Sequence, residues 1–193
     1  MQIRIGNIVS YCFHPIIVVC FTFWFIIFQS KSVQYNQYII FLISIIFIAI
    51  LPIVNVLYLK HKKLISDIDA SKKDERLLPL AFGALFFLIG FIILERLNSP
   101  LIIQGMMFCS IINTIIVWLI TRKWKISIHL ITLSWSFAIF LYTGFIELII
   151  MIIATLLVSY ARYILKAHTP SQLIAGLLLG LISTYTQLIL LFQ

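Results

Sequence analysis

Apolar residues follow one another in seven long runs along the chain, and short polar segments separate the runs. Each run is continuously apolar over about 20 residues and does not alternate at every second residue, which is typical of transmembrane helices and not of a membrane β-barrel. The third and fifth runs are short, at about 17 residues, near the lower limit for spanning a bilayer. We therefore predict seven spans, at about residues 8–28, 38–59, 78–94, 101–120, 126–142, 146–164 and 172–191.

The composition agrees with this pattern. Hydrophobic residues make up 63% of the 193 positions and charged residues only 10%, which is far more apolar than a soluble domain of this size. The first run lacks a small-residue cleavage site after a short apolar core, so we expect it to be retained as a span. The prediction is an all-α integral membrane protein. It forms a single helical bundle over residues 1–193, contacts membrane lipids and no nucleic acid, and has one long polar loop at 60–77.

The charge distribution indicates how the spans are oriented. With seven spans, all of the 14 Lys and Arg residues except Lys31 and Arg96 fall on one side of the membrane. By the positive-inside rule that side is cytoplasmic. We expect a protein of the bacterial inner membrane whose polar loops 60–77, 121–125 and 165–171 lie in the cytoplasm.

The corner before the last span contains residues that suggest an anion site. Arg162 and His168 are six positions apart and would point to different faces of one uninterrupted helix. Pro170 favours a break between them, with Thr169 as N-cap and Gln172 as the third helical residue, which is a capping box. His168 would then lie beside a cation and at a helix N-terminus, where phosphate binds readily.

Two further polar corners fall on the same side of the predicted topology. Ser127 is expected to cap the fifth span, with His129 in its first turn, and Lys72, Lys73 and Arg76 stand just before the third span. Phosphoryl transfer needs cations around the phosphoryl oxygens, an in-line nucleophile and an acid for the leaving oxygen. The three corners together offer all of these groups.

In their order and spacing, the three corners resemble the signature of the type 2 phosphatidic acid phosphatases, a membrane family whose site is related to that of the vanadium haloperoxidases. The family pattern is Lys, six residues, Arg-Pro; then Pro-Ser-Gly-His; then Ser-Arg, five residues, His, three residues, Asp. Five positions of this chain match it: Arg76, Ser127, His129, Arg162 and His168. The main departures are Asp69 in place of Lys, Ala161 in place of Ser and Gln172 in place of Asp, with Ile126 and Ile128 replacing Pro and Gly.

The resemblance covers the chain from about residue 60 to the end, and it implies a six-span phosphatase-type core without metal or cofactor. The substrate would be a lipid phosphate or a polyprenyl diphosphate. His168 would attack phosphorus to form a phosphohistidine, and His129 would protonate the leaving oxygen before water releases phosphate. Gln172 would orient His168 through its carbonyl oxygen.

The phosphoryl oxygens would be held by Arg76, Arg162 and Ser127. Lys72 or Lys73 would substitute for the Lys that the family pattern has at position 69.

Two other functions are compatible with the sequence. The departures at Asp69, Ala161 and Gln172 would suit a non-catalytic protein of the same fold that binds or transports a lipid phosphate. The acidic pairs Asp67 with Asp69 and Asp74 with Glu75 would suit a Mg²⁺-dependent prenyl or alcohol transferase, although such enzymes need two facing acidic clusters.

Two remaining features are interpreted as structural. Gly176 and Gly180 form a Gly-x-x-x-Gly motif, which in an apolar span indicates close helix packing. His14 lies toward the same side as the three corners, but we assign it a structural role beside Pro15.

Overall fold

The structure is a computed structural model that describes residues 2–29, 36–68, 70, 72–145 and 148–192. Every regular element within these residues is helical. The α-helices are α1 Gln2–Cys12, α2 Pro15–Gln29, α3 Gln37–Ile45, α4 Leu51–His61, α5 Leu77–Arg96, α6 Leu101–Thr121, α7 Ile128–Thr143, α8 Leu148–Ile164, α9 Pro170–Leu178 and α10 Thr184–Leu191. The predictions made for Lys31, for Asp69 and for a span start at residue 146 lie outside the described residues.

The all-α prediction is confirmed for the described part of the chain. Five helical stretches there are long and apolar enough to cross a membrane: α1 with α2, α3 with α4, α5, α6, and α9 with α10. The apolar helices α7 and α8 are shorter, at 16 and 17 residues. The third run was predicted to be short, but α5 has 20 residues, because Glu95 and Arg96 continue its last turn.

The surface of these helices is apolar. In α8, Ile149 is 73% exposed and Leu156 is 64% exposed, and neighbouring isoleucines are exposed as well. Water-exposed surfaces seldom carry such continuous aliphatic patches, whereas lipid-facing helices do. The structure is therefore that of a helical protein with membrane-spanning elements.

The described residues form two compact units. The first comprises the described residues of 1–19 and 126–191, and the second comprises those of 20–125 with Phe192. In the first unit, α7, α8, α9 and the start of α2 share an apolar core formed by Val18, Leu130, Leu133, Ala154, Val158 and Leu173.

Helices α7 and α9–α10 lie in close contact within the first unit, as the Gly-x-x-x-Gly motif predicts. A Cβ atom on Gly176 would lie 2.8 Å from the carbonyl oxygen of Ser127, and one on Gly180 would collide with Ser134 Oγ and the carbonyl oxygen of Ile131. Ser127 contacts Gln172 and Gly176, and the later residues Ile131 and Ser134 contact Gly180. Residue numbers thus increase in the same direction along both elements, so α7 runs parallel to α9–α10. Their N-termini therefore lie side by side.

The second unit is built around the antiparallel pair α5 and α6. Gly90 of α5 lets Phe47 approach so closely that an added Cβ would lie 2.7 Å from the phenylalanine Cβ. Phe47 lies in a five-residue π-helical segment, Ile46–Ile50, which joins α3 to α4. A second π-helical segment, Leu179–Ser183, joins α9 to α10 and contains Gly180. In both units, a close glycine contact thus coincides with a π-helical segment.

Candidate active site

The start of α9 carries the predicted capping box. Thr169 adopts an extended conformation, its Oγ1 accepts a hydrogen bond from the Gln172 backbone N–H at 3.4 Å, and Gln172 Oε1 accepts one from the Thr169 N–H at 3.3 Å. These bonds satisfy backbone donors that the first turn of a helix otherwise leaves without partners. The backbone around His168 is therefore fixed by its own local sequence.

His168 is held by the same glutamine side chain. Its Nδ1 lies 3.1 Å from Gln172 Oε1, and the side chain is buried, with 6% exposure. The Thr169 N–H can only donate, so the amide atom facing it must be the oxygen, and an oxygen can only accept from the imidazole. His168 Nδ1 consequently carries a proton. In the neutral ring the lone pair is then on Nε2.

Ser127 lies against the start of α9. Its backbone N–H donates to the carbonyl oxygen of Gln172 at 3.4 Å, and the residue is fully buried. The prediction that its hydroxyl caps α7 is wrong. Ser127 occupies the N-cap position, but its side chain makes no capping bond, and among the residues that the structure describes its buried Oγ has no hydrogen-bond partner. The contact with α9 holds the residue while its hydroxyl remains available, and buried polar groups without partners are rare in folded proteins.

His129, in the first turn of α7, contacts His14, for which the sequence predicts a structural role beside Pro15. The rings of His129 and His14 pack edge to face, with centroids 5.9 Å apart and an angle of 83° between the planes. His14 occupies the break between α1 and α2, where its Nδ1 accepts the N–H of Ile16 at 3.3 Å. Its position beside a proline and on the predicted site side was the only sequence signal that linked it to the site.

Arg162 lies in the last turn of α8 and contacts α1. Its Nη1 lies 3.5 Å from Ser10 Oγ, at the long limit for a hydrogen bond. One turn away, Gly6 allows α1 to approach closely, since a Cβ there would lie 3.0 Å from Ile164 Cδ1. Helix α1 therefore packs along the end of α8 that carries the arginine.

The remaining three predicted site residues belong to the second unit, and each has protein partners there. Arg76 is buried, and its Nε donates to the carbonyl oxygen of Ala70 at 2.8 Å. Lys72 forms a 3.0 Å ion pair with Glu75. Lys73 Nζ lies 3.6 Å from Asp74 and donates to the carbonyl oxygen of Arg122 at 3.3 Å. Both lysines thus contribute to the structure of this segment.

Glu75 organises the polar loop before α5. It accepts hydrogen bonds of 2.7 Å from both the backbone N–H and the hydroxyl of Ser66. These bonds, together with that from Lys72, lower the pKa of Glu75 to about 2. Across the described residues, no three His, Cys, Asp or Glu side chains come together as metal ligands.

The structure links five of the eight predicted residues at one end of the first unit. Ser127 touches Gln172, which holds His168. His129 follows Ser127 in the first turn of α7. Arg162 is next to Ser10 of α1, the helix that leads to His14. Arg76, Lys72 and Lys73 lie in the second unit, and Ala161, where the phosphatase pattern has Ser, is buried in α8.

Comparison of the chain with models of known protein families, with curated proteins and with solved structures finds no match in any of the three.

Proposed function

We propose that the protein is a membrane phosphatase that hydrolyses a lipid phosphate or a polyprenyl diphosphate through a phosphohistidine intermediate. The observation that carries the proposal is the 3.1 Å contact between His168 Nδ1 and Gln172 Oε1 at the start of α9. This contact gives the imidazole the tautomer and the fixed orientation that a nucleophilic histidine needs.

The surroundings of His168 also support a phosphoryl group as the ligand. The neighbouring N-termini of α7 and α9 both present the positive end of a helix dipole. Ser127 contributes a buried hydroxyl that has no protein partner. Because Ser127 and His168 are both buried, a phosphoryl group reaches them only when neighbouring side chains move aside. Binding of the substrate therefore requires a local opening of this corner.

In the first step, the lone pair on His168 Nε2 attacks phosphorus and forms the P–N bond. The P–O bond to the leaving group breaks, and a proton from His129 moves to that oxygen, so that an alcohol or a monophosphate leaves. The Nδ1 proton stays on His168 and is held by Gln172. Arg162 and Ser127 would hold the phosphoryl oxygens.

In the second step, water attacks the phosphohistidine. His129, now neutral, takes a proton from the water as the new P–O bond forms and the P–N bond breaks. Inorganic phosphate leaves, His168 returns to its neutral form, and His129 is protonated again. His129 thus donates the proton in the first step and accepts the proton in the second.

The proposal includes the finer topology. We propose seven spans, with α7 and α8 as the two short ones, a six-span phosphatase-type core, and the site end facing the cytoplasm of a bacterial inner membrane. The distribution of Lys and Arg supports this orientation.

The direct test is phosphate release from a lipid phosphate by the purified protein in detergent with EDTA present. The proposal expects release by the wild type and none above background by His168→Ala or His129→Ala variants that remain folded. Equal release by the wild type and His168→Ala would overturn the phosphohistidine mechanism.

A non-catalytic protein that binds lipid phosphate is the second candidate. Lys72 and Lys73, the cations that would replace the missing family lysine, are both engaged in ion pairs, which favours this function. Gln172 favours it as well, because its side chain supplies no negative charge to stabilise an imidazolium. Saturable binding of a lipid phosphate without any release would support this function. Activity that appears only after Mg²⁺ is added would support the transferase instead.

A further inference from the structure

The contact between His14 and His129 has no part in the reaction described so far. Residue 14 belongs to the N-terminal segment, outside the part of the chain that matches the phosphatase pattern. Its ring nevertheless packs edge to face on His129, at 5.9 Å between centroids. A contact of this kind restricts the orientation of both rings.

The backbone fixes the state of His14. Its Nδ1 accepts the N–H of Ile16 at 3.3 Å, and because a backbone N–H can only donate, this nitrogen carries no proton while the bond is made. His14 in this arrangement is a neutral imidazole with its proton on Nε2. It therefore places an uncharged ring, and not a second cation, beside His129.

We propose that His14 is a positioning residue that holds His129 in the orientation from which it protonates the leaving oxygen. This inference rests on the proposed function. The α1–α2 break, created by Pro15 and capped by the His14 side chain, fixes the ring against the first turn of α7. A neutral neighbour also allows His129 to carry its proton, which a charged neighbour would oppose.

The role predicts a dependence on the leaving group. A general acid accelerates departure of a poor leaving group, such as an alkoxide, far more than departure of a good one, such as a nitrophenolate. Disturbing His129 through His14 should therefore slow the first step with dioleoylphosphatidic acid. The initial burst of p-nitrophenolate from p-nitrophenyl phosphate, which precedes the step in which His129 acts as a base, should be affected little. A general loss of folding would reduce both rates by the same factor.

Two substitutions separate the ring contact from the helix-capping bond. His14→Phe keeps an aromatic ring against His129 but removes the acceptor for Ile16. His14→Asn keeps an acceptor at a position where asparagine caps well, but it removes the ring. We expect kcat on dioleoylphosphatidic acid to fall up to about tenfold in His14→Asn and in His14→Ala, and to be largely kept in His14→Phe.

The assays use the full chain in detergent with EDTA, and His61→Ala, which removes an exposed histidine of the second unit, is the control expected to leave both rates unchanged. Equal losses on the two substrates, or activity kept by Asn and lost by Phe, would show that His14 only starts α2. If the wild type is active and no His14 variant differs from it, this inference alone fails. If the wild type is silent on both substrates, the proposed function fails and this inference fails with it.

Discussion

At the scale of single residues, Gln172 connects the local fold to the proposed chemistry. Its Oε1 accepts from both the Thr169 N–H and His168 Nδ1. Gln172→Ala should therefore lower stability by about 1 kcal/mol through loss of the cap. It should also reduce turnover by about 10² to 10⁴, because the tautomer of His168 is no longer fixed. Thermal unfolding and phosphate release measured on the same preparation test both effects. A variant that loses stability and keeps full turnover would show that Gln172 is only a cap.

A charged replacement at the same position is the matched experiment. Gln172→Glu is isosteric, keeps both accepted bonds and adds a negative charge that favours the imidazolium form of His168. Activity should be kept or raised, and because the attacking imidazole must be neutral, the acidic limb of the pH–rate profile should move to higher pH. Gln172→Asp carries the same charge on a shorter side chain and should show a weaker form of the same shift. An unchanged pH profile in both variants would contradict the proposal that the contact between Gln172 and His168 controls the attacking imidazole.

Ser127 allows stability and function to be separated. Its hydroxyl is buried without a partner, so Ser127→Ala should leave the free energy of unfolding unchanged or raise it by up to about 1 kcal/mol. If the hydroxyl bonds a phosphoryl oxygen, kcat/KM should nevertheless fall by about 10- to 100-fold, the effect of one hydrogen bond to a charged group. Destabilisation without a kinetic effect would assign Ser127 to packing.

The site residues differ in how far the sequence predicts them. The arrangement of His168, Thr169 and Gln172 follows from a local rule, since proline and the capping-box spacing act within four residues. The free hydroxyl of Ser127 depends on a backbone contact with Gln172, 45 positions away. The packing of His14 on His129 joins two helices more than 100 residues apart, and neither contact leaves a periodic signal in the sequence.

At the scale of helices, the close packing of α7 on α9–α10 depends on Gly180. Gly180→Ala would place a methyl group into Ser134 Oγ and the carbonyl oxygen of Ile131. We expect destabilisation of about 1–3 kcal/mol, with a loss of phosphatase activity as the start of α7 shifts. Gly83→Ala is the control, because its Cβ would meet the Phe87 ring only at van der Waals distance, 3.8 Å from Cζ and 4.0 Å from Cε2. It should be neutral or stabilise α5 by up to about 1 kcal/mol.

Helix positions were largely predictable and their internal geometry was not. Apolar run length and the corners at Pro100 and Pro170 locate most helices to within a few residues. The first is an exception, because α1 begins at Gln2 and the predicted span began at about residue 8. The π-helical segments at Ile46–Ile50 and Leu179–Ser183 share no sequence marker, since Gly180 lies within the second segment and the first contains no glycine. Each lies at a close glycine contact, as at Gly90 with Phe47 and Gly180 with Ile131. Tertiary packing, and not local propensity, therefore accompanies the change in helical hydrogen bonding.

At the scale of the whole molecule, the orientation in the membrane can be measured directly. Leu64 and Leu97 are both exposed and lie in different polar corners. In a background without native cysteines, which removes the exposed Cys12, Leu64→Cys should react with an impermeant maleimide only after cells are permeabilised. Leu97→Cys should react in intact cells. The reverse pattern would place the loop 60–77 outside the cytoplasm and overturn the charge-based orientation.

Because Gln172 Oε1 accepts two hydrogen bonds, from His168 Nδ1 and from the Thr169 N–H, turnover should also report local unfolding. The first turn of a helix opens more easily than its middle, and every opening of the first turn of α9 releases His168 together with the Thr169 N–H. His168 should thus lose its fixed orientation on warming at temperatures where α7 and the core of the first unit are still intact. Thermal inactivation would then occur at a lower temperature than the cooperative melting of the helices. A ligand that binds His168 would raise the temperature of inactivation more than it raises the melting temperature.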